Sequence, residues 1–180
     1  MKYVLDWAYL LTLTITLITD YPLSLYAQDL NLSFHHLSQN DGLTQGTNSY
    51  VMQDSRGFIW ISSVSGLNRY DGKRIVTYQP KVHDSTSLAS GVINSKIFED
   101  DKGDLWFTSN VAIQRYIRAQ DCFETIRISD AQGNQIKEDV MAFDLDNQGN
   151  LWLRVGVRDT GRLHVFNTIS RKDSIYYQLD

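Results

Sequence analysis

Three tryptophans, Trp60, Trp106 and Trp152, stand 46 residues apart, and each closes a string of one pattern: QDSRGFIW from Gln53, EDDKGDLW from Glu99 and LDNQGNLW from Leu145. Asp54, Asp100 and Asp146 keep that interval, and so do Gly57, Gly103 and Gly149. A period of about 20 to 50 residues marks solenoids, propellers or arrays, in which one unit cannot cover its own apolar surface and needs the next. The period constrains the fold before any single residue is read.

Within a unit the pattern is one of short strands. Residues 49–53 are β-prone, 54–57 form a turn, 58–62 give a second strand, 66–70 a third, and after the Asp71-Gly72 turn a fourth covers 74–78. Four antiparallel strands in about 46 residues describe one blade of a β-propeller. An α-helical solenoid is disfavoured by the period-two alternation and by Gly, Asp or Asn every few residues. The chain therefore reads as all-β, with about three four-stranded antiparallel blades of an incomplete ring, in units at roughly 43–80, 88–128 and 136–180. Unit two has a longer last turn, so Phe123 and Ile126 fall 48 residues after Ile75 and Tyr78, and unit three carries about four extra residues at 158–161. Insertions of this kind belong in loops.

The geometry of a blade gives each motif residue a task. The Asp carboxylate is expected to accept hydrogen bonds from backbone amides two or three residues on, and the Gly to supply the positive φ of a tight reversal. Trp offers a broad apolar plate with one donor at its rim, suited to the gap between blades. Successive strand residues face opposite ways, so Phe58 and Trp60 point to one side and Ile59 and Ile61 to the other. Both sides are apolar, and residues 105–107 and 151–153 repeat the pattern. Such a strand has to be covered on both faces, which stacked blades provide.

Composition bounds the function classes. Of 180 residues 42% are hydrophobic and 21% charged, the balance of a globular protein. Residues 1–27 read as an export signal, with Lys2, an apolar run over 7–18, Pro22 and a small residue at Ala27. An uncleaved membrane anchor is the competing reading, although the run falls short of the ~20 apolar residues a span needs. Without that segment 16 basic and 19 acidic side chains remain, so there is no electrostatic case for nucleic acid or an anionic membrane surface. The one cysteine, Cys122, cannot form an internal disulfide, which suits a bacterial periplasm. It is expected to be buried and inert beside Phe123.

Three stretches together carry a family resemblance: FHHLSQNDGLTQ from Phe34, QDSRGFIWISSVSGLNRYDG from Gln53 and EDDKGDLW from Glu99. They closely resemble the opening of the two-component regulator propeller repeats, over essentially all of residues 34–180. Two departures touch loop shape: Ile61-Ser62-Ser63 stands where the family usually has Ile-Gly-Thr, and residues 110–113 of unit two lack the expected Gly-Leu. The resemblance implies the N-terminal, ligand-sensing part of the periplasmic region of a bacterial hybrid two-component histidine kinase. It further implies a parent anchored in the inner membrane, a small ligand such as an oligosaccharide, the remaining blades of a longer chain as partners, and room for a homodimer of the parent. Three units are too few for a ring of ~4 to 8 blades, so the chain is expected to be the start of a longer protein or a truncated gene product. The alternatives are a periplasmic propeller enzyme, a lyase or hydrolase, and a binding scaffold that does not signal.

No catalytic, metal or cofactor residue is assigned. The acidic turns, as at residues 100–104, lack the alternating oxygen ligands and terminal Glu of a calcium loop and read as turn caps. His35, His36, His83 and His164 lie in different units without metal-site spacing. No nucleophile elbow appears around Ser62, Ser63 and Ser65, and the Asn31-Leu32-Ser33 sequon is three residues long and reads as chance. Ligand contacts are expected where the units differ, at residues 44–48, 87–94, 110–112 and 157–161.

Overall fold

The computed structural model describes residues 33–110, 112–130, 132–157 and 161–178, so the export-signal reading and Asn31 of the sequon fall outside the described residues. Residues 33–35 have no regular structure, and the repeat body begins at His36. A short 3-10 turn, Gln39–Asp41, leads in, with Ser38 and Asp41 closing a capping box and Gly42 ending it at φ 108°.

Three four-stranded antiparallel sheets follow in order. The first holds β1 (Asn48–Gln53), β2 (Ile59–Ser63), β3 (Gly66–Tyr70) and β4 (Ile75–Tyr78). In the second are β5 (Phe98–Glu99), β6 (Leu105–Ser109), β7 (Ala112–Ile117) and β8 (Cys122–Ile126). The third has β9 (Val140–Leu145), β10 (Asn150–Val155), β11 (Arg162–Asn167) and β12 (Lys172–Gln178). Each strand pairs with the next in sequence, which is the meander of a propeller blade.

Register explains the core. Trp60 lies opposite Met52 and Arg69, while Ile61 lies opposite Val51 and Asn68, so neighbouring residues of β2 serve opposite faces. The face bearing Trp60 and Leu67 meets Leu105, Phe107, Tyr116 and Phe123 of the second sheet, with Leu88, Ile93 and Ile97 of the connecting segment wedged in. The other face of the second sheet, with Trp106 and Ile113, meets Val140, Ala142, Leu151, Leu153 and Phe166 of the third. All five residues of β6 are buried, because that strand has a neighbour on both sides. Each buried aromatic removes ~150–250 Å² from water. At ~25 cal/mol per Å² that is on the order of 4–6 kcal/mol as an upper figure, far above the ~0–1 kcal/mol of an exposed ion pair. Stacking of sheets, not surface charge, dominates.

The segments leading into the first two blades add a repeated contact that the 46-residue pattern does not announce. Leu43 and Leu88 are buried. The next residue in each case donates its N–H to a polar side chain of its blade's third strand: Thr44 to Asn68 Oδ1 at 3.0 Å and Ala89 to Gln114 Oε1 at 3.2 Å. His164 is the corresponding residue of the third blade. It is fully buried, with Nδ1 3.3 Å from Asp173 Oδ1, and its Nε2 has no hydrogen-bond partner among the described residues.

One expectation needs correcting. Cys122 is half-buried, not sealed in the core, and its Sγ lies 3.5 Å from Gln120 Oε1. It opens the outermost strand of its blade, where Phe123 takes the inward position and leaves its neighbour on the other side.

Candidate functional site

Antiparallel order puts the blade loops at two ends. One end carries the motif turns between first and second strands, together with the turns between third and fourth; the other carries the turns between second and third strands and the segments that join blades.

At the motif end the three aspartates do one job. Asp54 Oδ1 accepts from the N–H groups of Arg56 and Phe58, Asp100 Oδ1 from Lys102 and Asp104, and Asp146 Oδ1 from Gln148 and Asn150. The amides are therefore two and four residues on, not two or three, because the carbonyls of Phe58, Asp104 and Asn150 bond back to the Asp N–H and close a longer loop. Gly57, Gly103 and Gly149 sit in that loop at φ 86°, 80° and 77°, the left-handed region only glycine enters freely. The second carboxylate oxygen takes the indole: Trp60, Trp106 and Trp152 donate Nε1 to Asp54, Asp100 and Asp146 at 2.7, 2.8 and 3.2 Å. The motif is thus a clamp in which one Asp holds both the turn and the ring. Trp60 and Trp106 are 0% and 1% exposed, whereas Trp152 is half-buried on the outer face of the third sheet.

Between the first two blades this end is locked by charge. Arg118 Nη1 lies 2.7 Å from Asp54 Oδ2 and Nη2 3.0 Å from Glu99 Oε1, and Ser55 donates to Glu99 through both N and Oγ at 2.7 Å. Burial works against the Asp54 carboxylate, but the bonds from Trp60, Arg118 and Phe58 N together outweigh it and hold its pKa below the usual carboxylate range. Nearby, Tyr78 and Tyr116 both donate to Asp121 Oδ1, at 2.7 and 2.6 Å, and Arg69 lies over the rings of Phe58, Trp60 and Tyr78. Burial, and then the bonds with Tyr116 and Asp121, push the Tyr78 phenol well up, so it stays a donor.

The opposite end gathers the stretches in which the units differ. Ser65 Oγ donates to Gln45 Oε1 at 2.7 Å, and Gly91 lies against the Ser65 backbone, where an added Cβ would be 3.2 Å from Ser65 C. Asn110 Nδ2 donates to Ser90 Oγ at 3.0 Å, while Asn110 O accepts from Val140 N at 3.0 Å and Asp139 O from Gly156 N at 2.8 Å. Residues of 44–48, 87–94 and 110 thus meet in one line across the blades, and Val157 is exposed next to it; Val111 and residues 158–160 lie outside the described residues. The side chains bonded along this line, Gln45, Ser65, Ser90 and Asn110, are hydroxyls and amides with no carboxylate–base pair among them, and Val92, like Val157, is exposed beside them. Hydroxyls and amides of this kind can both donate and accept hydrogen bonds. Sequence reasoning missed Ser65 and Gln45 as partners, since nothing in a 20-residue separation signals it.

No family model matches the chain. Over 67 residues, 37% of this chain, it is 36% identical to the protein described as Histidine kinase P4 of Formosa agariphila, of which those residues make up 5%. Among solved structures, the extracellular domain of the hybrid two component system BT3049 of B. thetaiotaomicron is similar with a TM-score of 0.65 at 20% identity, covering 79% of this chain and 20% of that one. The extracellular domain of BT4673 from the same organism is similar with a TM-score of 0.60 at 24% identity, covering 83% and 21%. The chain has the fold of these extracellular domains and spans about a fifth of their length.

Proposed function

We propose that the chain is the N-terminal part of an extracytoplasmic sensor domain of a hybrid two-component histidine kinase, and that it takes up a polar ligand at the loop end and passes the change to a kinase. The observation that carries this reading is the pair of fold matches to extracellular domains of hybrid two-component systems, joined with the local identity to a histidine kinase. The hydroxyl and amide groups of Gln45, Ser65, Ser90 and Asn110 suit an oligosaccharide, whose own hydroxyls donate and accept in turn. An export signal at residues 1–27 and an inner-membrane anchor further along would place this part in the periplasm.

The test is made in the cell. The gene that encodes this chain is deleted, restored as wild type or as Ser90→Ala/Asn110→Ala, and transcription is recorded while digests of single polysaccharides are supplied one at a time. A response to one digest that disappears on deletion and needs at least tenfold more of it in the double variant supports the reading. Unchanged transcripts in the deletion across the panel overturn it.

A further inference from the structure

The two inter-blade junctions differ at one place on the motif end. At the first, Asp54 Oδ2 accepts from Trp60 and, from the next blade, from Arg118, which also donates Nε to Gly103 O and Nη2 to Glu99. Tyr116 pairs with Leu105 as Phe166 pairs with Leu151, so Thr168 occupies the place of Arg118 in the third blade. By the 46-residue interval Leu145 occupies that of Glu99. Thr168 Oγ1 donates to Gly149 O at 2.9 Å, as Arg118 does to Gly103 O, but its side chain ends there. Asp100 Oδ2 keeps the Trp106 indole at 2.8 Å, and among the described residues no cation forms an ion pair with it.

Where the guanidinium stands in the first junction, the second has a cleft of about 650 Å³ whose lining includes Asp100, Trp106, Leu145, Asp146, Thr168 and Ile169. We infer that this cleft binds a small guanidinium compound on an apolar stem, the head on Asp100 as Arg118 sits on Asp54 and the stem along Leu145 and Ile169. The surrounding charge agrees. Arg115 and Arg171 also line the cleft, over the Trp106 ring at 5.4 and 5.9 Å, and Arg115 is near enough to act on Asp100. Their ion pairs, however, go to Asp104 and Glu124 for Arg115 and to Glu124 for Arg171, so Asp100, Asp101 and Asp146 outnumber the remaining cation, Lys102. Half-buried, next to apolar side chains, the Asp100 carboxylate holds a cation more strongly than an open surface would. The chain supplies its own precedent for the ligand: one junction carries the group covalently, as an arginine, and the other leaves its socket open.

This site is independent of the loop end, so either assignment stands without the other. The probe is agmatine, titrated into the full chain by calorimetry, with butane-1,4-diol as the uncharged control. Saturable agmatine binding is expected in the wild type and none with the diol. Thr168→Arg, which returns a tethered guanidinium to Asp100, is expected to weaken agmatine at least tenfold while raising the melting temperature. Asp100→Asn is expected to weaken it likewise, and Asp71→Asn, which alters a turn cap outside the cleft, to leave it unchanged. Because Asp100 also closes its turn, Thr168→Arg is the decisive variant. No saturable heat with the wild type, or wild-type affinity in Thr168→Arg, overturns the inference.

Discussion

Arg118 of the second blade and Asp54 of the first meet at 2.7 Å across 64 residues of sequence, with their side chains 6% and 0% exposed. The same carboxylate holds its own blade's turn and tryptophan. One group thus couples the local fold of one sheet to its docking on the next.

Arg118→Met should be strongly destabilising, by about 3–5 kcal/mol, since it leaves the Asp54 charge buried without its partner. Urea unfolding at pH 7 measures this. Asp54→Asn/Arg118→Met removes both charges and should recover part of the loss, and a double variant no more stable than Arg118→Met alone would mean the charge is not what costs.

The pH dependence has a fixed sign. The Asp54 pKa is lowered from its ordinary 3.8 in the folded chain, so its contribution is fully present above that value and fades as pH falls through the lower folded one. Urea midpoints between pH 6 and pH 2.5 should drop steeply below about pH 4 in the wild type and less steeply in Asp54→Asn. Parallel curves would assign the acid lability to other carboxylates.

The tryptophans should divide two to one. Trp60→Ala and Trp106→Ala empty closed cores and should each cost ~3–5 kcal/mol, whereas Trp152→Ala acts on a half-buried ring and should cost about half that. Acrylamide quenching of variants that keep a single repeat tryptophan should find Trp152 the most accessible. Equal quenching of all three would contradict the asymmetry.

Two glycines test the backbone. Gly66 has φ 135°, and a Cβ there would sit 2.3 Å from Tyr78 O; Gly46 has open space around it and an ordinary φ. Gly66→Ala should cost well over 1 kcal/mol, while Gly46→Ala should be neutral or stabilising by ~0.4–1 kcal/mol. Thermal melts of the two variants side by side decide it.

Much of this was legible from spacing alone, for a physical reason: contacts within a unit repeat with the unit. Trp60 and Asp54 are six residues apart in every copy, so their shared interval exposes them. Contacts between units have no such signature. Arg118 recurs in neither neighbour, and its partner lies in another blade, so nothing in the string marks it as a lock. The turn at Asp130 repeats the motif geometry away from the 46-residue interval. Asp130 Oδ1 accepts from Gln132 and Asn134, and Gly133 takes φ 82°, as in the motif turns. It stands only 16 residues before Asp146, and Ile136, buried in the core at 5% exposure, takes the tryptophan's place. The loop end was found as a region, because units diverge there, but not as residues, because divergence carries no pairing information.

The alternation along β6 has a consequence for how such a chain changes over time. Leu105 answers to the blade before it and Trp106 to the blade after. Adjacent codons are therefore tested by different neighbours, and a repeat copied or exchanged as a block brings two half-interfaces that have to suit two strangers at once.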